Sequence, residues 1–229
     1  AGPRLRRLKV LRHPRVRPGE EITFSDQWNV FLGPCGSGKT TALHLAAAAL
    51  SGDFARVDRP VSLKYDVFYD GRLHEHSLSA TLAGYEGPGP APPSYLPALE
   101  CLEQCDAGPA GFESFGERRW RAVLARLAAT GEAFVADEPA AGLHHSMVEK
   151  LVDALGDRQV FAAVSGPTFL DYVSLDKPED ARKTLVLCRQ EAGLLTYRHP
   201  SEEEAKTLAW KYRVGLQQTG ELLRAEGLW

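Results

Sequence analysis

The chain has 229 residues, 44% of them hydrophobic, and a net charge of −3. This composition provides one sizeable core, suits a single domain with a small inserted lobe, and excludes an overall polyanion binder. No apolar run reaches the roughly 20 residues of a membrane span, so we expect no membrane insertion. Four scattered cysteines are too few for a disulfide scaffold and favour a reduced, cytoplasmic protein.

The N-terminal region combines basic character with three predicted strands. Seven Lys or Arg residues and no acid lie between Arg4 and Arg17. We interpret this segment as the solvated flank of a strand, with a contact to nucleic acid or to an acidic partner as the alternative. The residue patterns predict strands over 5–11 and 21–24, and a short apolar run predicts a third over 28–32.

A glycine-rich loop follows the third strand and precedes a helix predicted over 40–50. It matches the pattern G-x-x-x-x-G-K-[ST], whose glycines let backbone amides wrap around phosphate oxygens at a helix N-terminus. We therefore predict a nucleotide site in which Lys39 reaches the β- and γ-phosphates and Thr40 offers its hydroxyl to Mg²⁺. The predicted nucleotide contacts are Gly33, Pro34, Cys35, Gly36, Ser37, Gly38, Lys39, Thr40 and Thr41.

The middle of the chain changes character twice. Alternating apolar and polar residues around an Asp-Gly turn predict a hairpin over 61–79. Residues 84–97 are dense in Gly and Pro, and a short helix is predicted over 96–105, so we expect an irregular and helical lobe at about 84–116. Helical spacing of apolar residues then predicts a helix over 117–129.

The second half alternates buried strands with helices. Strands are predicted over 132–137 and 159–164, with a helix over 146–155 between them. This order predicts an α/β fold with a mostly parallel core sheet flanked by helices. Residues 183–229 predict a C-terminal hairpin and helix, the helix over 202–224, and the two hairpins together predict an added antiparallel sheet.

An acidic pair, Asp137-Glu138, ends one of these buried strands. A carboxylate in this position can hold Mg²⁺ through its water shell, and we assign that role to Asp137. Glu138 is then placed to polarise the attacking water as a general base. An ordinary acidic turn at a strand end is the alternative.

Three segments in this order, GPCGSGKT, SFGERR and FVADEPAAGLHH, resemble ATPases of the ABC class. The resemblance is closest to the soluble branch of SMC-type, OLD-type and related AAA-labelled defence ATPases, and it covers roughly residues 5–172. It implies a P-loop NTPase fold of the ABC-ATPase type across residues 1–229, with ATP and Mg²⁺ as ligands and ATP hydrolysis as the activity. DEPAAGLHH is similar to the D-E-P-E-x-x-L-H-P pattern of that branch rather than to the loop typical of transporters.

The resemblance also identifies SFGE as the signature motif. In the family, two chains pack head to tail, and the signature of one covers the γ-phosphate held by the other. It therefore implies that Ser114, Gly116 and Glu117 contact the nucleotide of a partner copy. The residue types suit this role, since a hydroxyl, a close backbone approach and a helix N-terminus all favour an anion. The N-cap of a plain helix is the alternative role of Ser114.

Two family elements are altered. We assign no glutamine to the position that usually contacts Mg²⁺ and the attacking water. Where relatives carry T-H-S-P, this chain reads V-S-G-P, which puts Ser165 in the place of a catalytic histidine. Serine donates one hydrogen bond and is never cationic. Because the loss of one transition-state contact costs roughly a hundredfold or more, we expect slow or partner-stimulated hydrolysis.

The leading hypothesis is an ATP-driven, dimerising ATPase whose closure on ATP controls a separate effector or partner protein. A nucleotide-gated scaffold that barely hydrolyses ATP is the main alternative, and Ser165 supports it. The ATP-binding subunit of a transporter is a third hypothesis, which the missing glutamine and the AGLHH segment disfavour. A P-loop kinase for a small metabolite is a fourth, but it leaves the signature segment unexplained.

Overall fold

The computed structural model describes residues 2–52, 54–82, 84–85, 114–129, 131, 133–214 and 227. The strands are β1 (Arg4–Arg12), β2 (Glu21–Thr23), β3 (Trp28–Leu32), β4 (Val61–Tyr69), β5 (Arg72–Thr81), β6 (Gly84–Tyr85), β7 (Ala133–Asp137), β8 (Gln159–Val164), β9 (Leu185–Glu191) and β10 (Leu194–Arg198). The helices are α1 (Lys39–Ser51), α2 (Phe115–Ala129), α3 (His145–Leu155), α4 (Pro178–Thr184) and α5 (Glu202–Val214), and a 3-10 helix spans Pro167–Tyr172.

Part of the predicted organisation falls outside the described residues. Most of the lobe predicted at about 84–116 does so, together with the short helix predicted over 96–105 and the end of the terminal helix after residue 214. The described start of the lobe is a strand rather than an irregular connection, because β6 pairs with β5 through Thr81 and Gly84. Among the described helices, none combines the length and hydrophobicity needed to cross a bilayer.

Two five-stranded sheets form within the described residues. The core sheet has the order β10-β9-β3-β8-β7, in which β7, β8, β3 and β9 run parallel and β10 is antiparallel at the edge. The added sheet has the order β2-β1-β4-β5-β6 and is antiparallel throughout. The mostly parallel core and the added antiparallel sheet are therefore both present.

The second hairpin lies elsewhere than expected. We predicted it as part of the added sheet, but β9 lies parallel to β3 in the core sheet, with Val186 opposite Phe31. The cause is burial: the first four residues of β9, LVLC, are all buried. A strand buried on both faces belongs inside a helix-covered sheet. The added sheet is completed instead by β1 and β2.

Helix α1 lies between the two sheets. Nine of its residues are buried, and their apolar side chains share one cluster with β1, β4 and one face of the core sheet. The other face of the core sheet packs against α2, α3, α4 and α5 in a second cluster. This layering fixes the start of α1, and with it the preceding glycine loop, against the carboxyl edge of the core sheet.

Buried polar side chains connect the sheets. Gln159 at the start of β8 is fully buried; its Nε2 donates to the Leu5 and Ser25 carbonyls at 2.7 and 2.8 Å. Its Oε1 accepts from the Leu5 N–H at 2.9 Å. A buried amide with all these partners satisfies backbone groups where the sheets meet, and it fixes their relative position.

Candidate functional site

The glycine loop has the backbone that a phosphate-binding loop needs. Gly36 and Gly38 have φ of +79° and +91°, backbone conformations that residues other than glycine rarely adopt. A Cβ on Gly38 would lie 2.7 Å from Leu195 Cδ1 and 2.8 Å from Tyr197 Oη, both on β10. Glycine is therefore required at Gly38 by conformation and also by the close approach of β10.

Polar groups of the loop point inward. Lys39 is only 8% exposed, and its Nζ donates to the Gly33 and Pro34 carbonyls at 2.7 and 2.9 Å. The Ser37 hydroxyl is buried and has no hydrogen-bond partner within the described residues. An orphaned buried hydroxyl beside a lysine ammonium suits a phosphate, whose oxygens accept from both. Cys35 is exposed on the same loop.

The two predicted Mg²⁺ ligands, Thr40 and Asp137, lie 97 positions apart in the sequence but are in contact in the structure. Thr40 Oγ1 donates to Asp137 Oδ2 at 2.6 Å. The sheet register explains the contact, because Asp137 on β7 and Phe31 on β3 both pair with Ala163 on β8. A hydroxyl and a carboxylate at one point are a ligand set that suits Mg²⁺ with phosphate oxygens.

Glu138 has an unusual backbone. Its φ is +50°, in the left-handed region that residues other than glycine seldom occupy. The Glu138 N–H donates to the Ala163 carbonyl at 2.8 Å, and its own carbonyl accepts from Arg119 Nη2 at 2.6 Å. The chain therefore turns sharply at the residue that we predict to be the general base. Non-glycine residues in such conformations concentrate at functional sites.

Ser165 lies at the same edge of the core sheet. It is exposed and directly follows Val164, the last residue of β8, which pairs with Leu32 at the end of β3. The carboxyl ends of β3, β7 and β8 thus bring together the glycine loop, the acidic pair and the serine. The geometry is consistent with its predicted role, which no further contact tests.

The signature turn forms a capping box. The Ser114 N–H and Oγ each donate to Glu117 Oε2 at 2.9 Å, and the Glu117 N–H donates to Ser114 Oγ at 3.3 Å. These hydrogen bonds, first from the backbone and then from the hydroxyl, lower the pKa of Glu117. Because α2 begins at Phe115, Ser114 takes the N-cap position that was the alternative in the sequence. The turn is exposed and preformed in the single chain.

The start of α2 also contacts the loop after the acidic pair. A Cβ on Gly116 would lie 2.9 Å from the Gly142 carbonyl oxygen, so glycine is needed there for the backbones to approach. Ser114, Gly116 and the acidic pair therefore belong to one local assembly, while contact with a partner copy stays a prediction.

Sequence reasoning missed three side chains of the candidate site. The Tyr197 hydroxyl donates to the Gly38 carbonyl at 2.9 Å, and burial raises the pKa of that hydroxyl. Arg15 Nη2 donates to Thr41 Oγ1 at 3.1 Å beside a cavity of about 140 Å³. Arg119 is the third. The first two contacts join residues far apart in the sequence, so no local pattern predicts them. Arg119 lies in an amphipathic helix, whose pattern predicts buried apolar residues and not a buried arginine.

The basic N-terminal segment is balanced by acids. Arg7 Nε lies 2.7 Å from Asp66 Oδ2, and this hydrogen bond raises the pKa of Arg7. Arg17 Nε lies 2.8 Å from Glu20 Oε1. Because these charges are paired, the segment lacks the uniformly positive surface that nucleic-acid contact favours.

No protein-family model and no curated protein matches the chain. Solved structures do match it. The SMC head domain from Thermotoga maritima matches with a TM-score of 0.58 at 12% identity, over 86% of this chain and 99% of that chain. The SmcHead bound to the C-winged helix domain of ScpA matches with a TM-score of 0.62 at 13% identity, over 88% and 99%. The chain therefore has the P-loop α/β fold of an SMC head; the OLD and defence-type part of the resemblance stays a prediction.

Proposed function

We propose that the chain is an ATP-binding ATPase of the ABC/SMC-like type, which dimerises on ATP and controls a separate partner or effector protein. The observation that carries the proposal is the 2.6 Å contact between Thr40 and Asp137, because it joins the glycine loop to the acidic strand end. The SMC-head fold supports it, because structures of SMC head domains match over 86% and 88% of this chain.

In this proposal, backbone N–H groups of the glycine loop bind the phosphates, and the Lys39 ammonium neutralises their charge. Thr40 and Asp137 would hold Mg²⁺, which would supply further positive charge to the phosphates. The cavity beside Thr41, which Arg15 borders, lies next to the loop.

Glu138 is the proposed general base. Its carboxylate accepts a proton from the attacking water, and Glu138 directly follows Asp137 at the carboxyl end of β7. Ser165 donates a hydrogen bond to the γ-phosphate from the end of β8. A neutral serine stabilises developing negative charge less than a histidine can, so we expect slow or partner-stimulated turnover.

The signature turn supports ATP-dependent dimerisation. Ser114 is exposed and held by its capping box. It can therefore contact the γ-phosphate of ATP bound to a second copy without refolding of α2. We propose a head-to-tail homodimer in which each ATP lies between the loop of one copy and Ser114, Gly116 and Glu117 of the other. One structural neighbour was solved with a winged-helix domain bound, which supports a separate protein partner. A cytoplasmic location fits this role.

A nucleotide-gated scaffold that barely hydrolyses ATP is the second candidate function. The specific observation in its favour is Ser165 at the end of β8, in the position where the resemblance implies a histidine. The missing glutamine and the AGLHH segment disfavour the ATP-binding subunit of a transporter. A nucleic-acid contact through the basic segment is also disfavoured, because Arg7 and Arg17 are paired with acids.

Steady-state ATP turnover tests the proposal. We expect measurable, Mg²⁺-dependent turnover in the wild type and its loss, by roughly a hundredfold or more, in Glu138→Gln. ATP binding, followed with a fluorescent analogue, should persist in Glu138→Gln and disappear in Lys39→Ala. If the wild type and Glu138→Gln both bind ATP and neither turns it over, the result supports the scaffold. An absence of ATP binding in the wild type overturns both the ATPase and the scaffold.

Sedimentation of Glu138→Gln with and without ATP tests the dimer. The variant traps ATP, so we expect a shift from monomer to dimer that requires both ATP and Mg²⁺. Arg12→Gln, added to Glu138→Gln, is the control: it changes an exposed basic side chain and should leave the ATP-dependent dimerisation of Glu138→Gln unchanged. A Glu138→Gln protein that binds ATP and stays monomeric at high concentration contradicts the dimer.

A further inference from the structure

A buried arginine connects the signature helix to the acidic pair. Arg119 lies on α2, five residues after Ser114, and is only 6% exposed. Its Nη2 donates to the Glu138 carbonyl at 2.6 Å. Burial of a guanidinium is costly unless its donors are satisfied, yet Arg119 Nε has no hydrogen-bond partner within the described residues. The arginine therefore does more than pack the helix.

The bond that Arg119 makes falls on a strained residue. Glu138 has a φ of +50°, and such a conformation persists only where the surroundings hold it. On one side the Glu138 N–H donates to Ala163 in the core sheet. On the other side the Glu138 carbonyl accepts from Arg119 at 2.6 Å and from the Ala141 N–H at 3.0 Å, so one of the three hydrogen bonds to the Glu138 backbone comes from α2.

A second contact joins the same two segments. Gly116 approaches the Gly142 carbonyl so closely that a Cβ would lie 2.9 Å from it. Helix α2 thus contacts the segment from Glu138 to Gly142 at two points, one near the signature turn and one at Arg119. Any displacement of the signature turn must act on this segment, because packed elements transmit strain.

We infer that Arg119 is a positioning residue for Glu138, and that it couples the signature turn of each copy to the general base of the same copy. The coupling rests on the proposed function, since it needs Ser114 to bind the partner's ATP. Closure of Ser114 on the partner's γ-phosphate then fixes α2, and Arg119 holds the Glu138 backbone in the hydrolytic conformation. Each copy hydrolyses its own ATP only when its signature is engaged at the other site.

Turnover kinetics give the first test. We expect Arg119→Gln to lower kcat by about tenfold or more while the KM for ATP stays within about threefold, because the base is displaced and the phosphate loop is intact. Arg119→Lys should recover part of the loss, since it keeps a donor at that position. Arg121→Gln, the same change at an exposed position two residues along α2, is the control.

An unchanged kcat in Arg119→Gln overturns the inference, and so does a loss that appears entirely in KM. Circular dichroism shows whether Arg119→Gln folds. If it does not, Arg119→Lys carries the test with the same expectations at smaller size. Partial recovery in Arg119→Lys is the second readout, because the return of a donor at that position restores the bond to the Glu138 carbonyl, which a purely structural role would not require.

Hydrogen exchange provides a test that needs no turnover. In Glu138→Gln, which keeps the carbonyl that Arg119 binds, Mg²⁺ and ATP should protect residues 33–41, α2 and residues 138–142. With Arg119→Gln added, protection of residues 33–41 and α2 should persist and that of residues 138–142 should fall. Equal protection of residues 138–142 in both proteins overturns the coupling and leaves the proposed function standing. A lack of protection at residues 33–41 in every protein overturns the proposed function itself.

Discussion

The glycine loop and the signature turn are both glycine-containing turns at a helix start, but they are held differently. The loop is fixed by distant parts of the same chain: Tyr197 of β10 donates to Gly38, and Asp137 accepts from Thr40. The signature turn is exposed, and the hydrogen bonds described for Ser114 reach no farther along the chain than α2. The loop is therefore held by contacts within one chain, whereas the exposed turn is free to form the contact with a second copy that the proposed dimer requires.

The difference also appears in the glycines. Gly38 is enclosed by Leu195 and Tyr197, so its lack of a side chain serves the chain's own packing. A Cβ on Gly116 would meet only the Gly142 carbonyl among the described residues, and Ser114 before it is exposed. Three substitutions, each paired with a control, separate the two regions.

The largest effect is expected at Gly38. Gly38→Ala combines a φ of +91° with contacts of 2.7 and 2.8 Å to Leu195 and Tyr197. It should lower the free energy of unfolding by about 2–4 kcal/mol and abolish ATP binding. Gly36→Ala is the control: its φ is +79°, but a Cβ there meets nothing within 4 Å, so a loss of about 1 kcal/mol is expected. Equal losses in chemical denaturation would show that β10 does not constrain the loop.

An intermediate effect is expected at Ser114. In the Glu138→Gln background, Ser114→Ala should weaken ATP-dependent dimerisation by about tenfold or more, because it removes a hydroxyl from the partner's γ-phosphate. ATP affinity of the monomer should not change. Sedimentation at several protein concentrations measures both states.

The control for this change is a second capping box. Ser201 caps α5: its N–H donates to Glu204 Oε2 at 2.8 Å, and Ser201 Oγ accepts from the Glu204 N–H at 3.2 Å. Ser201→Ala and Ser114→Ala should each cost about 1 kcal/mol of stability through the lost cap. Only Ser114→Ala should affect the dimer. If both variants dimerise as their parent does, Ser114 is a structural cap and nothing more.

The smallest effect is expected at Tyr197. Tyr197→Phe removes the hydrogen bond to the Gly38 carbonyl, which is worth about 1 kcal/mol, so ATP should bind about fivefold more weakly. Tyr212→Phe is the control, because Tyr212 donates to the Val173 carbonyl at 3.0 Å, away from the loop. A similar change of ATP affinity in both variants, measured by titration with a fluorescent analogue, would contradict a specific role for β10.

Much of the fold could be predicted because its signals are local. The strand–loop–helix pattern around Lys39, the short apolar strand that ends at Asp137 and the helix after Ser114 all follow from periodicity, glycine placement and charge within a few residues. The helix boundaries differ from the predictions by one or two residues, at Lys39, Phe115 and His145. Element order then predicts a parallel core sheet, and the structure has one.

The position of the second hairpin could not be predicted in the same way. Its alternating end, with the turn between β9 and β10, suggests a free antiparallel ribbon, whereas the buried residues at the start of β9 decide its pairing with β3. A hairpin pattern reports the pairing of two strands with each other, and it does not report which third strand they join. This choice depends on the whole core.

By itself, the sequence predicted the glycine loop before a helix, the carboxylates that end the apolar strand β7 and the helix that begins after a serine cap. These features depend on residue types at fixed short spacings. Tertiary structure alone decided that Tyr197 supports Gly38, that Arg15 contacts Thr41 and that Arg119 holds the Glu138 carbonyl. These contacts join residues 19 to 159 positions apart. They form only once the strands align and α2 packs. A hydrogen bond requires its two atoms to lie within a few ångströms, and the local sequence around either residue does not show which distant residue comes that close.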